Sequence, residues 1–170
     1  MISIIMKKVV KFGGSSLANA EQFQKVGDII RSDESRRYVV PSAPGKRFSA
    51  DTKVTDLLYT CYGKAEAGED FTDVLTEIKG RFYEIIKGLN LDLSLEEEFR
   101  QIEADFKAHA GNEYAASRGE FLNGKVMAAY LGYEFIDSAT VIRFDKNGNF
   151  DADKTDKLLS KRLQKGERAV

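Results

Sequence analysis

Apolar residues recur along the chain in two different rhythms. Over residues 7–12, Lys-Lys-Val-Val-Lys-Phe, they form a short compact run that predicts a buried strand. Gly13-Gly14-Ser15-Ser16 interrupts it. From about Asn19 the spacing changes, and Phe23, Val26, Ile29 and Ile30 share one face of a helix. Asn19 with Gln22 three residues later has the form of an N-cap and its partner. Tyr38-Val39-Val40 predicts a second short strand, closed by Pro41-Ser42-Ala43-Pro44-Gly45.

Helical spacing then dominates. Residues 52–67 carry Val54, Leu57, Leu58 and Cys61, and residues 71–89 carry Val74, Leu75, Ile78, Phe82, Ile85 and Ile86. Residues 95–109 carry Phe99, Ile102 and Phe106; residues 114–131 predict another helix, with Gly132 as its C-cap. Tyr133-Glu134-Phe135-Ile136 and Thr140-Val141-Ile142-Arg143 predict two short strands. Asp145-Lys146-Asn147-Gly148-Asn149 has turn chemistry, and 153–163 predicts a last helix. Lys165-Gly166-Glu167-Arg168 reads as a turn, and Ala169-Val170 as the opening of a further strand, so the chain is expected to be a fragment. This order predicts an α/β fold with a largely parallel sheet flanked by helices.

Composition narrows the function. A chain of 170 residues suffices for one domain with a core. Its 26 Lys+Arg balance 27 Asp+Glu, so no strong field draws it to nucleic acid or an anionic membrane. One cysteine, Cys61, forms no internal disulfide and no cysteine zinc site; on the apolar face of its helix it reads as core. One histidine, His109, argues against a His-rich metal site and a Ser-His-Asp triad. No stretch approaches the roughly 20 apolar residues of a membrane helix. The opening Met1–Met6 lacks the layout of a signal peptide, and residues 1–6 are expected to be an extension or the start of the first strand. The cytoplasm is the expected compartment.

Three segments offer chemistry. Lys11-Phe12-Gly13-Gly14-Ser15-Ser16 leaves a strand ahead of a helix, where glycine backbone and helix N–H groups favour phosphate; the alternative is an ordinary tight turn. It is not a dinucleotide fingerprint, since no G-x-G-x-x-G follows the strand. Gly45-Lys46 is not a phosphate loop of the Walker type, since Val40 and Arg47 occupy the required Gly and Ser/Thr positions. Ser42, at the exit of the second strand, stands where open α/β sheets form their ligand crevice; the alternative is a proline-rich turn. Thr55 adds a second hydroxyl, or else faces solvent. In Ser117-Arg118-Gly119-Glu120, Ser117 and Glu120 have capping-box spacing for a helix restarted near Gly119; the alternative makes Glu120 a ligand-binding carboxylate.

Together the segments resemble one family. Lys11-Phe12-Gly13-Gly14-Ser15-Ser16-Leu17-Ala18, Val39-Val40-Pro41-Ser42-Ala43, Val54-Thr55-Asp56-Leu57-Leu58 and Ser117-Arg118-Gly119-Glu120 are similar, in this order, to motifs of the aspartate kinases. Pro41 departs from the apolar residue expected there. The resemblance implies the amino-acid kinase fold, an α/β/α sandwich also found in carbamate kinase, and places residues 7–170 in its N-terminal lobe. It implies transfer of a phosphoryl group from ATP, with Mg²⁺, to the β-carboxylate of L-aspartate. That product, 4-phospho-L-aspartate, opens lysine, threonine and methionine synthesis. It also implies a homo-oligomer without nucleic-acid or membrane partners.

By the same resemblance, Lys11 stabilises the transferring phosphoryl group, while Lys11, Phe12, Gly13, Gly14 and Ser15 bind the ATP phosphates. Ser42 supports the transfer centre, and Thr55 and Glu120 bind aspartate. The nucleotide-base half and the regulatory domains of the family are expected to lie outside this chain, leaving the piece itself inactive. Two alternatives stay open: another amino-acid kinase, acting on an acetylglutamate- or glutamate-like acceptor, and a non-catalytic self-associating module.

Overall fold

Two parallel strands carry the site, and helices bury one side of them. The computed structural model describes residues 6–163 and 168–170. Strand β1 (Lys8–Phe12) pairs in parallel with β2 (Arg36–Pro41), in a register that sets Lys11 beside Val40 and Phe12 beside Pro41. Helix α1 (Ala20–Arg31) connects them. It is entered through a 3-10 turn at Gly14–Leu17, and the Asn19 carboxamide caps it by accepting the Gln22 backbone N–H at 3.0 Å. The turn and this cap separate α1 from the glycine loop.

Helices α2 (Val54–Glu66), α3 (Thr72–Gly88), α4 (Glu96–Lys107) and α5 (Asn112–Leu131) follow. Helix α2 packs on α3, α4 and α5, and α5 also reaches β2. The core between them is rich in aromatics: Phe23, Tyr62, Phe82, Phe99 and Phe106 are almost wholly buried. Tyr62 and Phe106 meet edge to face, their centroids 5.4 Å apart. Burying each such side chain contributes about 1.5–3 kcal/mol. Cys61 is part of this core, and burial pushes its thiol pKa up to about 12.

Four expectations need correction. Strand β1 is not buried on both sides: Val10 and Phe12 pack on the core, but Val9 is 66 % exposed, because helices cover one face only. Ile29 leaves the buried face of α1, where Gly27 replaces it beneath the Tyr130 ring. Thr140–Arg143 is not a strand; Ser138–Val141 forms a one-turn helix, α6, capped by the Asp137 side chain. Tyr133–Ile136 is extended yet pairs only locally, in parallel with the terminal residues: Glu134 and Tyr38 both bridge to Ala169. The expected opening of a strand at Ala169-Val170 thus lies between β2 and residues 134–136. The Asp145–Asn149 turn forms as expected, with Gly148 at φ +81°, and α7 spans Ala152–Leu163. The expected extension at residues 1–5 and the turn at 165–167 lie outside the described residues.

Candidate active site

The loops that leave β1 and β2 lie against each other as bare backbone. Ser42 N–H donates to the Phe12 carbonyl at 3.0 Å, and Gly45 N–H donates to the Gly14 carbonyl at 2.8 Å. No side chain fits between them. A Cβ on Gly14 would stand 2.7 Å from the Ala43 oxygen, and one on Gly45 would stand 2.6 Å from the Gly14 carbonyl carbon. Gly13 is different: a Cβ there meets nothing within 4 Å among the described residues, so packing within the chain does not demand glycine at that position.

Helix α5 completes the site by close approach. It runs unbroken through Ser117-Arg118-Gly119-Glu120, so the expected restart at Gly119 and the capping box are both incorrect. The Ser117 hydroxyl donates instead to the Tyr114 carbonyl, one turn back. Gly119 is a packing position: a Cβ would stand 2.6 Å from the Ala43 Cβ and 3.3 Å from Leu58. That proximity brings the exposed Glu120, the next residue, to the exit of β2. One turn further on, the buried Asn123 donates through Nδ2 to the Ser42 carbonyl at 2.7 Å.

The result is one open cavity of about 460 Å³, lined by Gly14, Ser15, Ser42, Thr55 and Glu120 together with Ala43, Pro44, Gly45, Lys46 and Lys53. Five of the residues singled out from sequence therefore share a wall. Lys11, Phe12 and Gly13 are not among its lining residues. Lys11 precedes the last residue of β1 and has an exposed side chain, and Phe12 packs partly into the core. Strand-exit placement, with hydroxyls, two lysines, glycine backbone and one carboxylate around an open cavity, suits the joining of two anions.

The sequence reading missed the framework of the second loop. Arg81, 2 % exposed within α3, donates to the Gly45 carbonyl at 2.7 Å and the Thr52 carbonyl at 2.9 Å, and pairs with Asp51 at 3.1 Å. Asp51 also accepts from Arg47, through the backbone N–H at 2.8 Å, Nε at 2.9 Å and Nη2 at 3.0 Å. These donors, the Arg47 side chain foremost, hold the Asp51 carboxyl well below the usual carboxylate range. A signal was present: Arg81 stands at helical spacing among Ile78, Phe82 and Ile85, an arginine on an apolar face. Lys46 and Lys53 had no such mark, since nothing local tells a cavity lysine from a solvated one.

Residues 6–167 match the amino acid kinase family. Aspartokinase 3 of Bacillus subtilis is 39 % identical over 141 residues, covering 79 % of this chain and 31 % of that protein. The crystal structure of Clostridium acetobutylicum aspartate kinase superposes with a TM-score of 0.92 at 45 % identity, over 97 % of this chain and 38 % of that one. The E. coli aspartokinase III structure with aspartate and ADP shares the fold at a TM-score of 0.74 and 24 % identity, over 95 % of this chain and 39 % of that one. The chain thus spans between 31 % and 39 % of the length of these three relatives.

Proposed function

Because the chain belongs to the amino acid kinase family, we propose that it supplies the phosphate loop and the acceptor-binding residues of an aspartate kinase. What carries this reading is the sharing of one cavity by Gly14, Ser15, Ser42, Thr55 and Glu120 in a chain whose relatives are aspartokinases. The remainder of the longer protein would provide most of the nucleotide-base contacts. The single buried thiol suits a reducing, cytoplasmic setting. Among the described residues no helix is long and apolar enough to cross a membrane.

In the proposed reaction a β-carboxylate oxygen of L-aspartate attacks the γ-phosphorus of ATP. A new P–O bond forms, the bond to the β,γ-bridging oxygen breaks, and ADP leaves with that electron pair. The acceptor is ionised at neutral pH, so no general base is required. Catalysis then rests on alignment and on neutralising charge that spreads over the transferring group.

Backbone N–H groups of Gly13 and Gly14 and the Ser15 hydroxyl would hold the phosphates. Ser42 would donate at the transfer centre, Glu120 would face the aspartate ammonium, and Thr55 would orient its carboxylate. Lys11, on a flexible stem at the end of β1, would reach the transferring group once the nucleotide is in place. Among the described residues no cluster of three or more His, Cys, Asp or Glu stands ready for a metal. Mg²⁺ favours substrate phosphates with one or two protein oxygens, a need that the Ser15 and Ser42 hydroxyls fit. When bound, the ion would neutralise phosphate charge.

The test is an assay of the complete protein for aspartyl phosphate, trapped as the hydroxamate, from ATP, Mg²⁺ and L-aspartate. Lys11→Ala is expected to lower kcat by roughly 10²–10³-fold with little change in aspartate KM. Turnover of N-acetylglutamate or glutamate with none of aspartate would overturn the acceptor assignment.

A further inference from the structure

We propose that Lys46 and Lys53 bind the terminal phosphates of the nucleotide, and that the buried Arg81 positions both. This rests on the kinase reading above. The charged residues lining the cavity are Lys46, Lys53 and Glu120, two cations and one anion. Glu120 is taken by the acceptor's ammonium, which leaves both cations for an anionic ligand. Several other lysines are engaged in ion pairs, among them Lys64 with Asp73, Lys107 with Glu103 and Lys154 with Asp151. Lys46 has only a long 3.5 Å contact with the Ser49 carbonyl among the described residues.

The two lysines share an anchoring device. The Arg81 guanidinium holds the carbonyls of Gly45 and Thr52, the residues directly before Lys46 and Lys53. One buried group therefore sets the origin of both side chains, seven residues apart in sequence. Asp51 and Arg47 complete the network between them. A buried ionic network is weak support for stability compared with apolar packing of the same volume. It does hold geometry, and what this one holds is the stem of each cavity lysine.

The backbone bond from Gly45 to Gly14 decides which anion. It puts Lys46 beside the glycine loop, at the phosphate end of the cavity and away from the acceptor end at Glu120. The Val54 N–H donates to the Pro44 carbonyl at 3.1 Å and so ties Lys53 to the same loop; the two lysines would supplement the loop N–H groups and Lys11 in countering the triphosphate charge.

The experiment uses the complete protein and four variants: Lys46→Met, Lys53→Met, Arg81→Met and, as a control, the paired surface residue Lys107→Met. Calorimetry measures affinity for inorganic tripolyphosphate, and steady-state kinetics give separate KM values for ATP and aspartate. Each lysine variant is expected to weaken tripolyphosphate binding and raise the ATP KM by roughly tenfold, the scale of one charge-assisted hydrogen bond. Aspartate KM should move less than about twofold. Arg81→Met, assayed well below its melting temperature, should show the same split, which general destabilisation would not produce. If it does not fold, the two lysine variants carry the test. Unchanged tripolyphosphate affinity in both lysine variants, or a rise confined to aspartate KM, overturns the proposal. Lysine-dependent tripolyphosphate binding in a protein that never phosphorylates aspartate supports the lysines and overturns the acceptor reading instead.

Discussion

The two ends of the cavity are built from different materials. At one end the loops after β1 and β2 meet as backbone, Gly14 against Gly45, with Arg81 and Asp51 buried behind them. At the other, Thr55 and Glu120 project from α2 and α5, helices already secured by core packing through Leu58 and Gly119. The first end is coupled to the fold, since whatever disturbs its surface disturbs its support. The second presents side chains whose removal leaves their helices intact. The proposed roles suit this difference: an anion site made of N–H groups needs fixed backbone, whereas recognition of an amino acid needs particular functional groups.

Substitutions at the two ends should therefore separate stability from binding. The largest stability loss is expected for Asp51→Ala, which leaves Arg81 buried with its carbonyl partners but no counter-charge. Breaking such a pair costs about 3–5 kcal/mol, measurable by denaturant unfolding. Its pH dependence has a definite sign. The folded-state pKa of Asp51 is depressed, so its contribution is fully present above the ordinary carboxylate pKa of about 4. That contribution is lost as pH falls below about 4 toward the depressed value. Asp51→Ala should flatten this part of the acid-unfolding profile, and an unaltered profile would show that the network is not a main acid-sensitive element.

The glycine pair gives a smaller and sharper contrast. Gly14→Ala should cost about 1–3 kcal/mol by overpacking against Ala43. Gly13→Ala, with open space around it, should melt within about 0.5 kcal/mol of the parent yet bind tripolyphosphate more weakly. Equal losses of stability at the two positions would erase the distinction drawn between them.

The smallest stability effect belongs to the proposed acceptor end. Glu120 is exposed and lies mid-helix, so Glu120→Ala should change stability by no more than about 0.5 kcal/mol. Aspartate KM should rise roughly tenfold or more with ATP KM little altered. A loss of 0.5–2 kcal/mol with near-normal kinetics is what a capping residue would produce, and it would remove Glu120 from the site.

Much of this arrangement was legible before any coordinates. Local rules act over a few residues, and they located β1, β2, α1 to α5 and α7 together with the Asn19 and Gly132 caps. The glycine loop, Ser42, Thr55 and Glu120 were readable as a set only through the joint resemblance of their segments to aspartate kinase motifs, since each segment alone admits an ordinary turn, cap or solvent-facing reading. The failures came where local signals compete. Thr140–Arg143 has strand-forming residues, but Asp137 caps a helical turn there. Ser117 and Glu120 have capping spacing, but they lie inside a helix of 20 residues whose packing overrides it.

Composition and pattern alone therefore pointed to the class of fold and to the strand exits as the place for chemistry, and the near-balanced charge argued against nucleic acid and anionic membranes as partners. Only tertiary structure decided the rest. Gly14 and Gly45 are 31 positions apart and become interdependent only when their backbones touch. Arg81 is an arginine on the apolar face of an amphipathic helix until α3 brings it beneath the loop that carries Lys46 and Lys53. Such roles arise from contacts distant in sequence, which no short-range pattern encodes.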